Sequence, residues 1–200
     1  MGTRRMTDIM LASTGLVLLA PVMAIIGGSI RLFDGAPVLF RQNRLTKGGR
    51  LFQVLKFRTM NDRRDAQGQL LPDGMRTTAL GRFLRRSRLD ELPQLWNILL
   101  GEMSLIGPRP LLPQTIAATG EKGQLRCAVR PGLTGWAQVN GNTLLSDEDK
   151  IALDLWYIEN RSLWIDLVIL ARTVGVALRG ERFNLRLKGR AHEGHTRRCG

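Results

Sequence analysis

The chain has 200 residues, enough for about one domain with a real core, and it shows no fixed-period self-similarity, which excludes a tandem repeat. Apolar residues at 44% and charged residues at 24% are ordinary globular usage and exclude wholesale disorder, while two cysteines, Cys127 and Cys199, exclude a disulfide framework. Charge is the outlier: 30 Lys+Arg against 17 Asp+Glu give +13, which implies a persistent anionic partner such as nucleic acid, anionic lipid or a phosphorylated substrate.

The first element is apolar. Ile9 to Ile30 is a run without a charge, about 33 Å long as a straight helix and so long enough for a hydrocarbon core of about 30 Å. A cleaved signal peptide would export a basic chain with no disulfides. A full span would put Arg4 and Arg5 on one side and Arg31, Arg41, Arg44, Lys47 and Arg50 on the other, although both basic flanks favour the cytoplasm. Pro21 lacks an N–H and clashes with the carbonyl of Val17, so it can break the helix. The favoured reading is a re-entrant helix-break-helix at Pro21 over residues 1–33, with both flanks on one face. Gly15, Ala24, Gly27 and Gly28 would let its limbs pack closely.

Residues 41–90 carry 13 basic and four acidic side chains, and 161–200 carry nine and three. The positive excess thus follows the apolar run and returns at the C-terminal end, where a surface-bound protein meets anionic headgroups. A nucleic-acid binder remains open on charge, but the aromatics do not interleave with the basic run as base-stacking platforms do.

Residues 34–43 and 50–57 read as two strands around Lys47-Gly48-Gly49, and Asn61 to Thr78 as a polar, mobile loop. A basic helix is expected over Leu80–Arg88, then an apolar helical face at Leu92, Leu95, Trp96 and Leu99. Gly107-Pro108-Arg109-Pro110 must be a stiff loop, and Asn140-Gly141 signals a hairpin around Trp136–Val139. Ser146 caps a helix with an acidic first turn, and Leu163–Leu178 reads as an amphipathic helix, too polar to span. The expected fold class is mainly α with a small β element (α+β). Residues 34–180 are expected to form the main domain, with 181–200 a basic tail. His192, His195 and Cys199 in that tail are incidental rather than a zinc set.

The segment Leu84–Pro110 carries the chemistry. Pro93 is tolerated only in a first helical turn, which predicts a helix beginning near Asp90 with Glu91 in its first turn. Asp90 alone reads equally well as a helix cap. Four arginines upstream (82, 85, 86 and 88) and Arg109 downstream change the balance, because guanidinium groups match phosphate geometry. Two carboxylates with substrate phosphate oxygens suit Mg²⁺, and an aspartate can attack phosphorus and carry the group covalently.

At these residues the chain resembles the bacterial sugar transferases, the monotopic polyprenyl-phosphate phosphoglycosyl transferases. The resemblance runs through Lys56-Phe57-Arg58-Thr59-Met60, Leu89-Asp90-Glu91-Leu92-Pro93-Gln94-Leu95-Trp96-Asn97, Met103–Pro110, Arg130–Gly141 and Asp154–Asp166, and covers nearly the whole chain to about residue 178. It implies a ping-pong transfer of sugar-1-phosphate from a UDP-sugar to undecaprenyl phosphate with release of UMP, the first membrane step of polysaccharide assembly. It further implies Asp90 as nucleophile, Glu91 as its partner, Mg²⁺ on Asp90 and Glu91, and Lys56, Arg58, Arg85 and Arg109 as phosphate-binding groups. The implied setting is the cytoplasmic face of the inner membrane. The partners are a UDP-sugar, undecaprenyl phosphate and membrane lipids, with room for a homodimer and no nucleic acid. Two positions depart from the family pattern: Ala20 precedes Pro21 where serine is common, and Asn142-Thr143 follow Gly141 where Arg-Asn is common. The alternative from another class is a non-catalytic, membrane-tethered adaptor for anionic lipid or nucleic acid.

Overall fold

The computed structural model describes residues 2–179; the basic tail and its His192, His195 and Cys199 lie outside the described residues. In chain order the elements are α1 (Thr3–Phe33), β1 (Leu39–Leu45), β2 (Leu51–Phe57), α2 (Asp73–Arg76), α3 (Ala79–Ser87), a 3-10 turn (Leu89–Glu91), α4 (Gln94–Leu100), β3 (Ser104–Ile106), α5 (Pro113–Ala118), α6 (Gly120–Arg126), β4 (Gly132–Thr134), α7 (Trp136–Val139), α8 (Asp147–Glu159) and α9 (Leu163–Arg179). The chain is mainly helical with two small two-stranded sheets, as the sequence predicts. It forms two compact units, one of residues up to Gln42 with Gln53–Leu99, the other of Asn43–Phe52 with the chain from Leu100.

In the first unit, α1 is 31 residues long and passes through Pro21 without interruption. This corrects the expected helix-break-helix. Proline removes one hydrogen bond to Val17 and crowds one carbonyl, a local loss, whereas packing holds the helix on both sides of it. On the N-terminal side Arg5 donates to the carbonyls of Ile98 and Leu99. Those carbonyls lie in the last turn of α4, where no intrahelical donor reaches them and a cation is favoured. Gly15 lies against Leu95, which a Cβ there would approach to 3.2 Å. Beyond Pro21, Ile26 and Ile30 are buried with Phe57 and Leu84. The rest of the helix surface is bare: Met10, Val17, Leu18, Ile25, Leu32 and Phe33 are all exposed. By length and composition α1 could cross a membrane.

The expected strand at 34–43 begins later, at Leu39, because Gly35 takes a positive φ of 81° and the chain turns before it extends. Asn61–Thr78 is exposed for much of its length but is more ordered than the expected loop. It contains α2, and Met60 pairs with Thr77 and Arg64 with Leu70 in isolated bridges.

In the second unit, β3 and β4 pair in parallel, Ser104 opposite Gly132 and Ile106 opposite Thr134. This corrects the predicted hairpin around Trp136–Val139, which is the helical turn α7 instead. A hairpin needs strand on both sides of Asn140-Gly141; here Trp136, Ala137 and Val139 are buried with Leu153 and Tyr157 of α8 and Ile169 of α9. Trp136 stacks on Trp156 at 5.1 Å, and the Arg172 guanidinium lies 5.2 Å over the Trp136 ring. Both later helices are as predicted: Ser146 accepts from the Asp149 amide to cap α8, and α9 carries an exposed apolar stripe at Leu163, Trp164, Leu167 and Val174. The stiff loop around Arg109 is held from below. Buried Arg126 donates to the Arg109 carbonyl at 3.0 Å and, through Nε, to buried Asp154 at 3.0 Å.

The parallel pair requires glycine. A Cβ on Gly132 would stand 2.1 Å from the Gly107 amide nitrogen. Gly132→Ala is therefore expected to lower unfolding stability by about 1–3 kcal/mol in denaturant titration, the usual cost of overpacking. Gly28→Ala in α1, where a Cβ meets nothing within 4 Å, should be neutral or raise stability by up to about 1 kcal/mol through helix propensity.

Candidate active site

The candidate site in the first unit is built from β2, α3 and the 3-10 turn. Thr78 opens α3 by accepting from the Gly81 amide at 2.9 Å. The helix stops at Arg88, whose φ of 61° is left-handed and turns the chain sharply into Leu89–Glu91. Inside that turn the Glu91 amide donates to the Arg88 carbonyl at 3.2 Å and the Leu92 amide to the Leu89 carbonyl at 3.3 Å. The sequence placed Asp90 and Glu91 in the first turn of an α-helix. Instead they occupy a separate 3-10 turn, and α4 begins at Gln94. Pro93 explains the displacement: without an N–H it cannot continue the ladder, and the helix opens immediately after it.

Both carboxylates are buried, at 7% exposure each. Lys56 on β2 donates from Nζ to Glu91 Oε1 at 2.7 Å. Burial first, and the neighbouring Glu91 charge second, push the Asp90 carboxyl above its ordinary range; Lys56, Arg85 and Arg88 pull it back. Adjacent carboxylates in a site with little water are mutually repulsive, so the arrangement depends on those cations.

Two residues that sequence reasoning missed set this geometry. Asn97, 1% exposed on α4, accepts from the Leu55 amide at 3.0 Å and donates to the Gln53 carbonyl at 2.8 Å. It thereby pins β2 to α4 one residue away from Lys56. The available signal was an amide on the otherwise apolar stretch Leu95–Leu100. Thr59 is the second: its hydroxyl accepts from Arg85 Nε at 2.9 Å. Gly81 lets α3 approach, since a Cβ there would lie 2.0 Å from the Thr59 carbonyl oxygen.

The other predicted site residues divide. Lys56 and Arg85 join Asp90 and Glu91. Arg58 is engaged in structure: Nε donates to the Met60 carbonyl at 2.7 Å, Nη1 to the Ala36 carbonyl at 2.6 Å, and Nη2 to Asp62 at 2.8 Å. Arg109 belongs to the second unit, where the burial of Arg44 first, and the nearby Arg109 charge second, disfavour the charged form of Arg44.

Among the described residues no cluster of three or more His, Cys, Asp or Glu side chains is placed to hold a metal ion. A magnesium site does not require one, because this ion commonly takes one or two carboxylates and completes its shell with water and substrate phosphate. Asp90 and Glu91 fit that donor set by their adjacency, burial and mutual repulsion.

A family model described as bacterial sugar transferase matches residues 1–180. The chain belongs to that family. Among its relatives, an uncharacterized sugar transferase of Bacillus subtilis, EpsL, is 49% identical over 76% of this chain and 75% of its own length. The UDP-glucose:undecaprenyl-phosphate glucose-1-phosphate transferase of Caulobacter vibrioides is 43% identical over 86% of this chain and 68% of its own. An Aeromonas hydrophila protein named as a UDP-N-acetylgalactosamine-undecaprenyl-phosphate N-acetylgalactosaminephosphotransferase is 40% identical over 88% of this chain. The chain spans only 44% of that relative's length.

The raised Asp90 carboxyl has a consequence for stability. A carboxyl whose pKa is higher folded than unfolded favours the folded state below its unfolded pKa, and loses that contribution as pH rises through the folded value. At pH 7 ionised Asp90 is then a net cost. Asp90→Asn is expected to raise the melting temperature at pH 7, with the difference vanishing below about pH 4, where the native aspartate is itself protonated. Differential scanning calorimetry across that pH range measures it, and an Asn variant less stable at pH 7 contradicts the electrostatic account.

Proposed function

We propose that this protein transfers a sugar-1-phosphate from a UDP-sugar to a polyprenyl phosphate such as undecaprenyl phosphate, releasing UMP, as the first membrane step of polysaccharide or glycoconjugate assembly. The observation that carries the proposal is the buried Asp90 carboxylate set beside Glu91 and among Lys56, Arg85 and Arg88. The names of the Caulobacter and Aeromonas relatives support the substrate class.

The residues suit a two-step transfer. In the first step an ionised Asp90 oxygen attacks the phosphorus bonded to the sugar; the Asp90–phosphorus bond forms, the phosphoanhydride bond breaks, and UMP leaves with that electron pair. In the second, an oxygen of the lipid phosphate attacks the same phosphorus and Asp90 departs as carboxylate. Arg85, held by Thr59, and Lys56, held by Glu91, offer fixed positive charge where phosphate charge accumulates. Magnesium held by Asp90 and Glu91 with substrate oxygens would supply further charge neutralisation. The raised Asp90 carboxyl keeps the nucleophile more basic than a surface aspartate and eases its protonation between turnovers.

The acceptor lies in lipid, so the site must sit at the headgroup level. We read α1 as a membrane anchor whose two ends both stay at the cytoplasmic face. Its support is that both ends of α1 are held by one compact unit: Arg5 on the end of α4, and Ile26 and Ile30 on Phe57 and Leu84. A helix crossing to the far side would carry one of those contacts away from the other.

Three outcomes are expected. Wild-type protein releases UMP from at least one of a panel of UDP-sugars with undecaprenyl phosphate. Asp90→Asn lowers that rate on the order of 10³-fold or more, and mass spectrometry of wild type trapped with donor alone finds the sugar phosphate on Asp90. Turnover without that adduct, or with it on another residue, rejects the nucleophile. Cysteines introduced at positions 3 and 35 should both label from the cytoplasmic side; labelling from opposite sides restores a span. A membrane-tethered adaptor would instead bind anionic vesicles or duplex with a steep salt dependence and release no UMP.

A further inference from the structure

A cavity in the first unit lies at the end of α1 and reaches the start of α3. It measures about 770 Å³, within the range of about 300–1,000 Å³ usual for small-molecule sites. Phe33 and Asp34 from the α1 end line it, with Arg58, Arg63, Met75 and Arg82 among the residues on the other sides. Its charges are not equivalent. Arg58 is committed to Asp62 and to two carbonyls, and Asp34 accepts from the Thr78 hydroxyl. Arg82 gives a single hydrogen bond, from Nη1 to the Thr77 carbonyl. Among the described residues the Arg63 guanidinium has no carboxylate partner. Two guanidinium groups thus face the cavity with donors to spare, and Arg–phosphate pairing is the recognition they are shaped for.

The cavity and the candidate site share α3. Arg82 and Arg85 stand three residues apart on α3 and so share a face. Arg82 lines the cavity, while Arg85 acts on the Asp90 charge. Thr59, which holds Arg85, directly follows Arg58 of the cavity wall. The lining also holds two exposed apolar side chains, Phe33 at 80% and Met75 at 64% exposure, and Leu32 next to Phe33 is 82% exposed. Exposed apolar side chains leading onto a lipophilic helix suit a phosphate on a hydrocarbon tail.

We infer that this cavity is the subsite for the acceptor, a lipid phosphomonoester whose phosphate sits on Arg63 and Arg82 while its first hydrocarbon units run past Phe33 and Met75 onto α1. The inference rests on the proposed reaction, but its binding test can be read without turnover.

The full chain is reconstituted in phosphatidylcholine vesicles as wild type, as the Arg63→Gln/Arg82→Gln variant and as Arg86→Gln, an exposed arginine of α3 outside the cavity lining. The Michaelis constant for a polyprenyl phosphate should rise about tenfold or more in the double variant, the loss expected of one charge-assisted hydrogen bond, while that for the UDP-sugar stays within twofold. In parallel, protein in detergent is titrated with vesicles doped with phosphatidic acid, a lipid phosphomonoester, with or without competing inorganic phosphate or UMP. Wild type should prefer these vesicles over phosphatidylglycerol vesicles of equal charge, and the double variant should lose the preference. A rise in the donor constant instead assigns the cavity to the nucleotide and overturns the inference. So do an equal loss in Arg86→Gln, displacement by inorganic phosphate as effective as by the lipid, or no change in either measurement. Wild type that releases no UMP from any donor, yet keeps the Arg63- and Arg82-dependent vesicle preference, rejects the reaction and leaves the phosphate site standing.

Discussion

Two adjacent carboxylates cannot be buried in a protein without cations arranged to receive them, and the first unit is organised around that requirement. Lys56 reaches Glu91 from a strand, Arg85 and Arg88 reach toward Asp90 from the end of a helix, and the 3-10 turn holds the two acids side by side. Taking a charge out of water costs several kcal/mol per ion unless partners replace the lost solvation. Replacement here is incomplete by design of the surroundings: desolvation outweighs the attraction of the cations, and Asp90 is left above its ordinary carboxyl range. A site that was purely structural would be better served by a carboxylate held low by its partners. Residual electrostatic strain at a buried, cation-ringed acid is consistent with the role proposed for Asp90.

The supports of the pair are indirect, and this is why their precision can be high. Asn97 takes the place of a neighbouring strand for the backbone of residues 53 and 55, so the position of Lys56 is fixed by α4, the element that also follows Glu91 in the chain. Gly81 allows α3 to come within contact of the Thr59 carbonyl, and the Thr59 hydroxyl then orients Arg85. Each of these two cations is thus positioned through a further residue, Asn97 for the strand of Lys56 and Thr59 for Arg85. In the other unit the same logic recurs around Arg109, whose backbone is gripped by a buried Arg126–Asp154 pair.

How much of this was legible in the sequence follows from the range of each interaction. Patterns that are local, such as the Ser146 cap, the basic helix α3, the apolar stretch of α1 and the adjacency of Asp90 and Glu91, are written within a few residues and were read correctly. Pro93 was read correctly as a boundary and placed wrongly, because a helix opening just after a proline and one opening just before it share the same local pattern, and only the left-handed Arg88 upstream decides between them. Asn140-Gly141 is a good hairpin signal by itself, and it fails here because buried Trp136 and Val139 find their partners on α8 and α9, far along the chain. Arg58 sits inside a motif of phosphate-binding character, yet its hydrogen bonds go to Ala36, Met60 and Asp62, and the Ala36 partner is invisible to any local reading. What escaped, in each case, was a long-range contact that overrides a short-range preference.

Pro21 is the instructive case, because the physical argument for a break was sound and the helix nevertheless continues. A proline inside a helix costs about 3 kcal/mol or more when nothing offsets it. Here the turns before it are fastened through Arg5 and Gly15 and the turns after it through Ile26 and Ile30, all on the same folded unit. Once both halves are docked independently, the direction of each is set by packing, and helical backbone is the least costly way to join them. The feature the sequence argument needed was never the break itself but the return of both flanks to one side. Fastening both ends of a lipophilic helix to a single unit supports the proposed placement of both flanks on one side, and it leaves apolar side chains of α1 from Met10 to Phe33 exposed. On the proposed reaction, whose acceptor stays in the bilayer, such an anchor would serve twice: the helix that would hold the protein at the interface would also be the wall along which the acceptor arrives.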